Sequence, residues 1–343
     1  MISQKSYSKQ FIALFFVLIL LMLLNVSLGS VSIPFTEIID ILLGGNSTKP
    51  SWDIIVIHFR FPKAITAILV GSGLAISGLL MQTLFRNPLA GPFVLGISSG
   101  ASLGVALLIL GSSIFGGILA TIAFSNWGIA IASSTGAALV LFAVIITANK
   151  VRNTMSILII GLMFGTVTSA IISVLTFFSN ADKIQKFIFW GFGNLGNLSW
   201  NEVMIFFIIY LIGMINLVQV IKPLNTFLLG ENYSKSLGIH IKRSRMIILL
   251  ITSLLTGVIT AFAGPIAFIG LAVPHITKLL FKTSNHKILL PAVAILGAII
   301  LLVCDLIAQL PTSEFTLPLN AVTSLFGAPI VIWLLIRKKK IYV

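Results

Sequence analysis

Few side chains in this sequence could do covalent or metal chemistry. Its four histidines, His58, His240, His275 and His286, lie in different segments, and the single cysteine, Cys304, lies inside an apolar run. No set of His, Cys, Asp and Glu has the spacing of a metal site, and no GxxxxGK[ST] phosphate-binding loop occurs. A nucleophile would need a general base beside it, and no such pair stands out. The sequence therefore offers no candidate catalytic residue and no metal or cofactor site.

The stretch from Gly78 to Ala101, GLLMQTLFRNPLAGPFVLGISSGA, could instead make non-covalent contacts with a partner. Its first apolar run ends at Arg86-Asn87-Pro88, because proline lacks a backbone donor and clashes with the preceding turn of a helix. A second apolar run opens at Gly96 with small residues, which let helices approach closely in lipid. The polar break between the runs is therefore open to a partner, and an ordinary helix–loop–helix turn explains it equally well.

Composition places these segments in a membrane protein. The 343 residues are 58% hydrophobic and 9% charged, whereas a soluble domain carries roughly 25% charged residues. The mean hydropathy is +1.13. The net charge of +14 does not predict nucleic-acid binding, because the cations lie in short clusters between apolar runs. With one cysteine the chain cannot form an internal disulfide.

Ten apolar runs have about the length needed to cross ~30 Å of hydrocarbon. They predict membrane-spanning helices at residues 11–28, 64–84, 93–111, 128–148, 156–178, 203–221, 246–262, 265–281, 288–308 and 320–336. The first run resembles a signal peptide, but no convincing cleavage site follows it, so we interpret it as an uncleaved span. An even number of spans predicts that both termini lie on one side of the membrane.

The cations predict which side that is. If both termini are cytoplasmic, only five of the 22 Lys and Arg residues fall outside: Lys49, Arg60, Lys63, Lys183 and Lys186. This distribution follows the positive-inside rule, and the opposite orientation inverts it. Arg60 and Lys63 share one face at the predicted start of a helix, three residues apart. They are candidates for receiving carboxylates of an outer partner, with anchoring to lipid headgroups as the alternative.

Three segments between the spans are predicted to contain short helices. Residues 33–43 and 182–195, on the outer side, have apolar residues at helical spacing, which suits either anchoring at the membrane interface or a specific contact. The third segment, the inner loop (residues 222–245), carries Leu228, Leu229, Tyr233 and Leu237 at roughly helical spacing. The apolar side of this loop needs cover, either from the chain's own spans or from a soluble subunit.

Four motifs carry a resemblance to a known family. They are RFPKAITAILVGSGLAISGLLMQTLFRNPLAGPFVLGISSGA (60–101), LLGENYSKSLGI (228–239), GPIAFIGLAVPHITKL (264–279) with HKILLP (286–291) after it, and TLPLNAVTSLFGAPIVIWLL (316–335). Together they resemble FecCD-type permeases, the membrane subunits of ATP-binding-cassette (ABC) importers for iron–siderophore complexes, haem and cobalamin. The resemblance covers nearly the whole chain in order, and it is specific for the family and weak for the cargo.

The resemblance implies an all-α membrane protein of type II ABC importer architecture, with residues 1–343 forming a single permease domain. It implies that ATP and Mg are used by a separate ATPase subunit, that a solute-binding protein docks outside, and that a second permease subunit completes the path. It assigns coupling to the ATPase to Leu229, Gly230, Glu231, Leu237 and Gly238 in the inner loop. Small residues on one span, Gly161, Gly165, Thr166 and Ser169, would line the path or serve helix packing alone.

The sequence departs from the commoner family pattern at a few places, namely Lys63, where Arg is usual, Asn285, Gln309, Thr316 and Asn320. Lys63 and Gln309 weaken any copying of outer-face chemistry, because Lys cannot form the planar two-pronged hydrogen bonds of Arg and Gln carries no charge.

An ion-coupled secondary transporter is the alternative from another class. Such proteins place ionisable residues within their spans, and here essentially one, Asp305, lies there, close to an end. A membrane enzyme lacks candidate residues altogether. Within the importer class, the frequency of cargoes in the family favours an iron complex.

Overall fold

The computed structural model describes residues 7–29, 31–45, 47–112, 125–151, 154–310 and 315–336. The two ends of the chain lie outside these residues. The side of the membrane that the cations predict for them therefore stays a prediction. The described part consists of helices and loops without a strand. The helices are α1 (Ser8–Ser27), α2 (Phe35–Leu42), α3 (Pro50–Ile54), α4 (Phe61–Phe85), α5 (Ile97–Ile109), α6 (Asn126–Lys150), α7 (Thr154–Phe177), α8 (Ala181–Gly191), α9 (Trp200–Leu217), α10 (Ile221–Phe227), α11 (Glu231–Ser236), α12 (Ile241–Ala263), α13 (Ile269–Phe281), α14 (His286–Ala308) and α15 (Leu319–Ile336).

Each of the ten predicted runs coincides with a helix. Among the described residues, seven helical segments are long and apolar enough to cross a membrane, and α5, α13 and the apolar part of α15 are shorter. The two runs that the sequence shows as short and interrupted, 93–111 and 265–281, are those of α5 and α13. The chain is therefore an all-α membrane protein, while the number of ten spans and their orientation stay predictions. The two outer segments also contain the predicted short helices, α2 and α8.

The helix that carries Arg60 and Lys63 begins earlier than the sequence suggests. A continuous helical segment runs from Pro50 to Phe85, with a π-helical turn at Ile55–Arg60 between α3 and α4. The wider turn, in which the amide of Phe61 bonds to the carbonyl of Val56, precedes Pro62. A π turn accommodates a proline without ending the helix. The prediction that Arg60 and Lys63 lie at a helix start is therefore wrong.

The helices fall into two compact units. One comprises Met1–Ile76, Leu195–Ile205 and Phe268–Val343, and the other Ser77–Asn194 and Phe206–Ala267. In the first unit α14 packs against α1, α13 and α15. Gly71 on α4 and Gly297 on α14 meet backbone to backbone, since a Cβ added to either would lie 2.3 or 2.4 Å from the carbonyl oxygen of the other. Small residues at such crossings are typical of helix packing in lipid.

In the second unit, α5 is the central helix and packs against α6, α7 and α12. Gly104 and Gly136 bring α5 and α6 into backbone contact. A Cβ at Gly104 would lie 1.9 Å from the carbonyl oxygen of Ala132, and one at Gly136 would lie 2.1 Å from that of Gly100. The glycines of α5 therefore serve packing, and this unit also carries the inner loop.

Candidate functional site

The inner loop folds into two short helices joined by a tight bend. Helix α10 ends at Phe227, and α11 begins at Glu231. Gly230 adopts a φ of +119° at the bend, and Gly238 adopts +79° after α11. Positive φ angles of this kind are open to glycine at little cost. The sequence predicts a short amphipathic helix that carries Leu228, Leu229, Tyr233 and Leu237. In the structure Gly230 separates the first two of these residues from α11.

The apolar side chains of the inner loop are exposed. Leu228, Leu229, Tyr233 and Leu237 have 44%, 65%, 52% and 54% of their surface accessible. In contrast, Phe227 of α10 is buried. The described part of the chain thus leaves these four apolar side chains, on α11 and on both sides of it, uncovered. Of the two sources of cover that the sequence leaves open, this arrangement favours a separate subunit.

Arg86 fixes the end of α10. Its guanidinium donates from Nε to the carbonyl oxygen of Phe227 over 2.8 Å, and Nη2 donates to the same oxygen. Arg86 itself follows α4 with a φ of +48°, a left-handed conformation that is uncommon outside glycine. Residues 141 positions apart are joined in this way, so the polar break after α4 and the inner loop form one surface.

Glu231 is held from the other side. Its Oε1 lies 3.1 Å from Nη2 of Arg245, near the start of α12. The Arg245 side chain is 10% exposed and that of Glu231 45% exposed, so the cation is the more buried partner. Helical spacing alone would pair Glu231 with Lys235, one turn away, whereas the observed ion pair joins it to a residue fourteen positions along the chain.

The two outer cations have partners within their own unit. Nη1 of Arg60 donates to the carbonyl oxygens of Val26 and Ser27, both over 2.9 Å, and Nη2 donates to that of Val31. These bonds hold the end of α1 and the turn after it. Lys63 forms an ion pair with Asp305 over 3.0 Å. Both cations are half-buried.

Asp305 is the centre of a polar cluster, which we call the Asp305 cluster (Asn25, Lys63, Asp305, Gln309). Asp305 is 3% exposed. Its Oδ1 faces Lys63, and its Oδ2 accepts hydrogen bonds from the side-chain amides of Asn25 over 2.8 Å and Gln309 over 2.6 Å. A carboxylate with a cation and two amide donors meets the requirement that a buried charge be paired and hydrogen-bonded. Sequence reasoning missed Asn25, which lies far away along the chain.

A groove of about 450 Å³ collects the four small residues that are candidates for the translocation path. It is lined by Phe93, Gly96, Ser99, Leu162, Gly161, Gly165, Thr166 and Ser169. Thr166 and Ser169 are exposed, whereas Gly161 is buried. Gly161 packs closely against the backbone of another segment, whereas Gly165 has room beside it in the groove. A Cβ at Gly161 would lie 2.3 Å from the carbonyl oxygen of Val94, whereas one at Gly165 would lie 3.4 Å from Oγ of Ser99, its nearest neighbour.

Within the described residues, no group of three or more His, Cys, Asp and Glu side chains could hold a metal ion. Sequence reasoning missed the contacts of Arg245 and Arg86. Their charge is visible in the sequence, but no spacing rule connects Arg245 with Glu231 or Arg86 with Phe227.

Comparison with known proteins gives consistent matches. The sequence profile of the FecCD transport family matches residues 17–337. The vitamin B12 import system permease protein BtuC of Klebsiella pneumoniae is 35% identical over 290 residues, 82% of each chain. That of Escherichia coli O6:H1 is 33% identical over 304 residues, 86% of this chain and 88% of the relative.

Two solved structures are similar as well. One, described as an inward-facing conformation of a metal-chelate type ABC transporter, superposes with a TM-score of 0.83 at 27% identity, covering 96% of this chain and 100% of the other. PsaBC from Streptococcus pneumoniae, solved in complex with Fab, gives a TM-score of 0.53 at 18% identity over 86% of this chain and 94% of its own. The second likeness concerns the fold alone.

Proposed function

Because the chain belongs to the FecCD transport family and is the permease subunit of an ABC importer in the cytoplasmic membrane, we propose that it imports a metal chelate of the cobalamin, siderophore or haem class. The chelate would be handed over by a solute-binding protein. The relatives named as vitamin B12 permeases support cobalamin as the first cargo to test. This ranks cobalamin above the iron complex that family frequency favours.

Coupling to an ATPase is assigned to the inner loop, at Leu229, Gly230, Glu231, Leu237 and Gly238. The single observation that carries this assignment is the exposure of four large apolar side chains on one short segment. Such a patch on a cytoplasmic loop fits a protein interface. The chain itself is a transport subunit, and ATP with Mg would be bound by the partner ATPase alone.

The path is assigned to the groove on α7, where Gly165, Thr166 and Ser169 offer room and hydroxyl groups. Only 17% of the apolar window of Met155–Phe177 is buried, so most of this helix has to be covered by lipid or by another subunit. A second copy of the chain facing this groove would enclose a path between the two copies. The proposal therefore includes a homodimer.

Docking of the solute-binding protein at Arg60 and Lys63 stays part of the proposal. Their internal bonds mean that replacing both by Glu would disturb the structure along with the docking surface. A sharper test is the Lys63→Gln/Asp305→Asn pair, which removes both charges and keeps hydrogen-bonding side chains. Weaker and less salt-dependent docking is expected if Lys63 meets a carboxylate of the binding protein. Unchanged docking at all salt concentrations would remove Lys63 from the surface.

Reconstitution in vesicles tests the function as a whole. The purified chain alone should neither hydrolyse ATP nor accumulate cobalamin, a ferric siderophore or haem. With a cognate ATPase and a loaded binding protein, uptake should depend on ATP and survive collapse of the proton gradient. Uptake by the chain alone in response to an imposed proton or sodium gradient would establish secondary transport instead. The Asp305 cluster argues against that outcome, because its carboxylate already has Lys63 as a counter-ion.

A further inference from the structure

We infer that Arg86 is a positioning residue, which together with Arg245 clamps the inner loop just before and within its exposed patch. This inference rests on the coupling role proposed for the inner loop. Arg86 holds the residue before the patch through the carbonyl of Phe227, and Arg245 holds Glu231 within it. A displacement of the patch by a partner would then be passed to the end of α4 and the start of α12, rather than absorbed by the bend at Gly230.

The contacts of Arg86 differ from those of an ordinary surface arginine. Two donors of one rigid guanidinium converge on one carbonyl oxygen at the end of α10. That oxygen also accepts the amide of Gly230, over 3.3 Å. A Cβ at Gly230 would lie 3.4 Å from Nη2 of Arg86, so the guanidinium lies directly against the bend. Charged donors make stronger hydrogen bonds than neutral ones, and their planar fork fixes direction as well as distance.

The backbone of Arg86 supplies an independent observation. The position directly after a helix is commonly occupied by glycine when the backbone is left-handed. Here an arginine adopts φ +48° directly after α4, although a Cβ makes this conformation unfavourable. Glycine adopts this conformation at lower cost, and the contacts of the Arg86 side chain with Phe227 offset that cost. The side chain is therefore the reason for an arginine at this place.

This reasoning gives a discriminating set of variants. Arg86→Gly relaxes the backbone and removes the side chain, whereas Arg86→Ala keeps the backbone strain and removes the side chain. Arg86→Lys keeps the charge and loses the planar fork. If Arg86 only caps α4, the glycine variant should match or exceed the wild type in protection of the inner loop from hydrogen exchange and in coupling of transport to ATP hydrolysis. If Arg86 clamps the loop, the glycine variant should resemble the alanine variant, and the lysine variant should lie between them and the wild type.

Hydrogen exchange of the full chain measures the clamp without any partner. The amides of Leu229 and Gly230 bond to the carbonyls of Thr226 and Phe227. Loss of a hydrogen bond from a charged donor should speed exchange in peptides spanning 226–238 by about tenfold to hundredfold. Exchange in the middle of α12 should not change. Arg243→Ala, which removes an exposed cation two residues before Arg245, is the matched control and should leave exchange in the loop unaltered.

Transport by the assembled importer supplies the second readout. Arg86→Gly should lower the number of cargo molecules moved per ATP hydrolysed, while the ATPase still binds. Wild-type exchange and wild-type coupling in Arg86→Gly would overturn the clamp and leave the proposed function standing. Fast exchange in Arg86→Gly, combined with normal assembly and transport in Leu229 and Glu231 variants, would uphold the clamp as a structural feature and overturn the coupling role of the loop. Fast exchange with reduced coupling would support both.

Discussion

The Asp305 cluster and the inner loop use charged side chains in opposite ways. In the cluster, one lysine and two amides surround a carboxylate that is 3% exposed. In the inner loop, two arginines fix the backbone and one acid, while Leu229 remains 65% exposed. The first arrangement neutralises a buried charge inside one unit. The second holds an exposed apolar surface in place.

The difference shows that a charge in a membrane protein indicates function only together with its surroundings. An ionisable residue inside a span is a candidate for ion coupling. Asp305 satisfies that description, yet its carboxylate is already paired with Lys63 and hydrogen-bonded by Asn25 and Gln309. Arg86, by contrast, is one cation among many on its predicted side, and the clamp that we propose for it rests on its contact with the inner loop. Four predictions can break or sharpen this comparison.

The largest effect is expected from Asp305→Ala. Removing the carboxylate leaves Lys63 without its counter-ion and the amides of Asn25 and Gln309 without their acceptor. Breaking a buried ion pair from one side should lower the free energy of unfolding by about 3 kcal/mol, since the Lys63 side chain is 21% exposed and can reach some water. Denaturant titration in detergent measures this change.

The double variant Lys63→Met/Asp305→Leu is its control. Replacing both members of a buried pair by apolar residues is often neutral, so this variant should recover the part of the stability that is lost through the unpaired Lys63. The amides of Asn25 and Gln309 remain without their acceptor. If Asp305→Ala unfolds at the same denaturant concentration as the wild type, the cluster does not stabilise the first unit.

The sequence predicted the helices and the surface patch much better than the charged contacts. Hydrophobic runs follow directly from the thickness of the bilayer, and Leu229 and Tyr233 are recognisable from helical spacing. The partners of Arg86 and Asp305 lie 141 and up to 280 positions away along the chain. Only the packed helices bring them together. The early start of the helix at Pro50 was missed because the predicted apolar run begins only after Lys63, and the π turn before it is not encoded in hydrophobic periodicity.

The second-largest effect concerns the exposed patch. Leu229→Ser with Tyr233→Ser should weaken binding of the ATPase by about 2 kcal/mol, roughly thirtyfold in Kd, since buried apolar anchors dominate interface energies. Stability of the isolated chain should change by less than about 0.5 kcal/mol, because both residues are exposed. Leu43→Ser, at an exposed leucine after α2, is the control and should bind the ATPase normally. Equal loss in both variants would show that exposure alone does not mark the interface.

A smaller effect is expected at Glu231. Glu231→Gln removes the charge that faces Arg245 and should lower the free energy of unfolding by about 1 kcal/mol, since the pair is only partly shielded from water. Glu231→Lys should additionally reduce assembly or transport while membrane insertion stays intact. The exchanged pair Glu231→Arg/Arg245→Glu should recover stability but not coupling if the ATPase reads the carboxylate itself. Full recovery of coupling by the exchanged pair would mean that only the internal ion pair matters.

The smallest effect concerns Glu37 on α2, a carboxylate held by neutral donors alone among its described contacts. The side-chain hydroxyl of Thr48 donates to one of its oxygens, and the backbone amide of Thr48 donates to the other over 2.9 Å. These bonds favour the charged form and lower the pKa of Glu37 below its ordinary value of 4.5. Because the folded pKa is the lower one, the bonds stabilise the fold above that ordinary value, and this contribution is lost as the pH falls through the folded pKa.

Thr48→Val should move the pKa of Glu37 back upward in a carbon-detected NMR titration, whereas Thr48→Ser should preserve the low pKa. An unchanged pKa in Thr48→Val would mean that the backbone amide holds the carboxylate by itself.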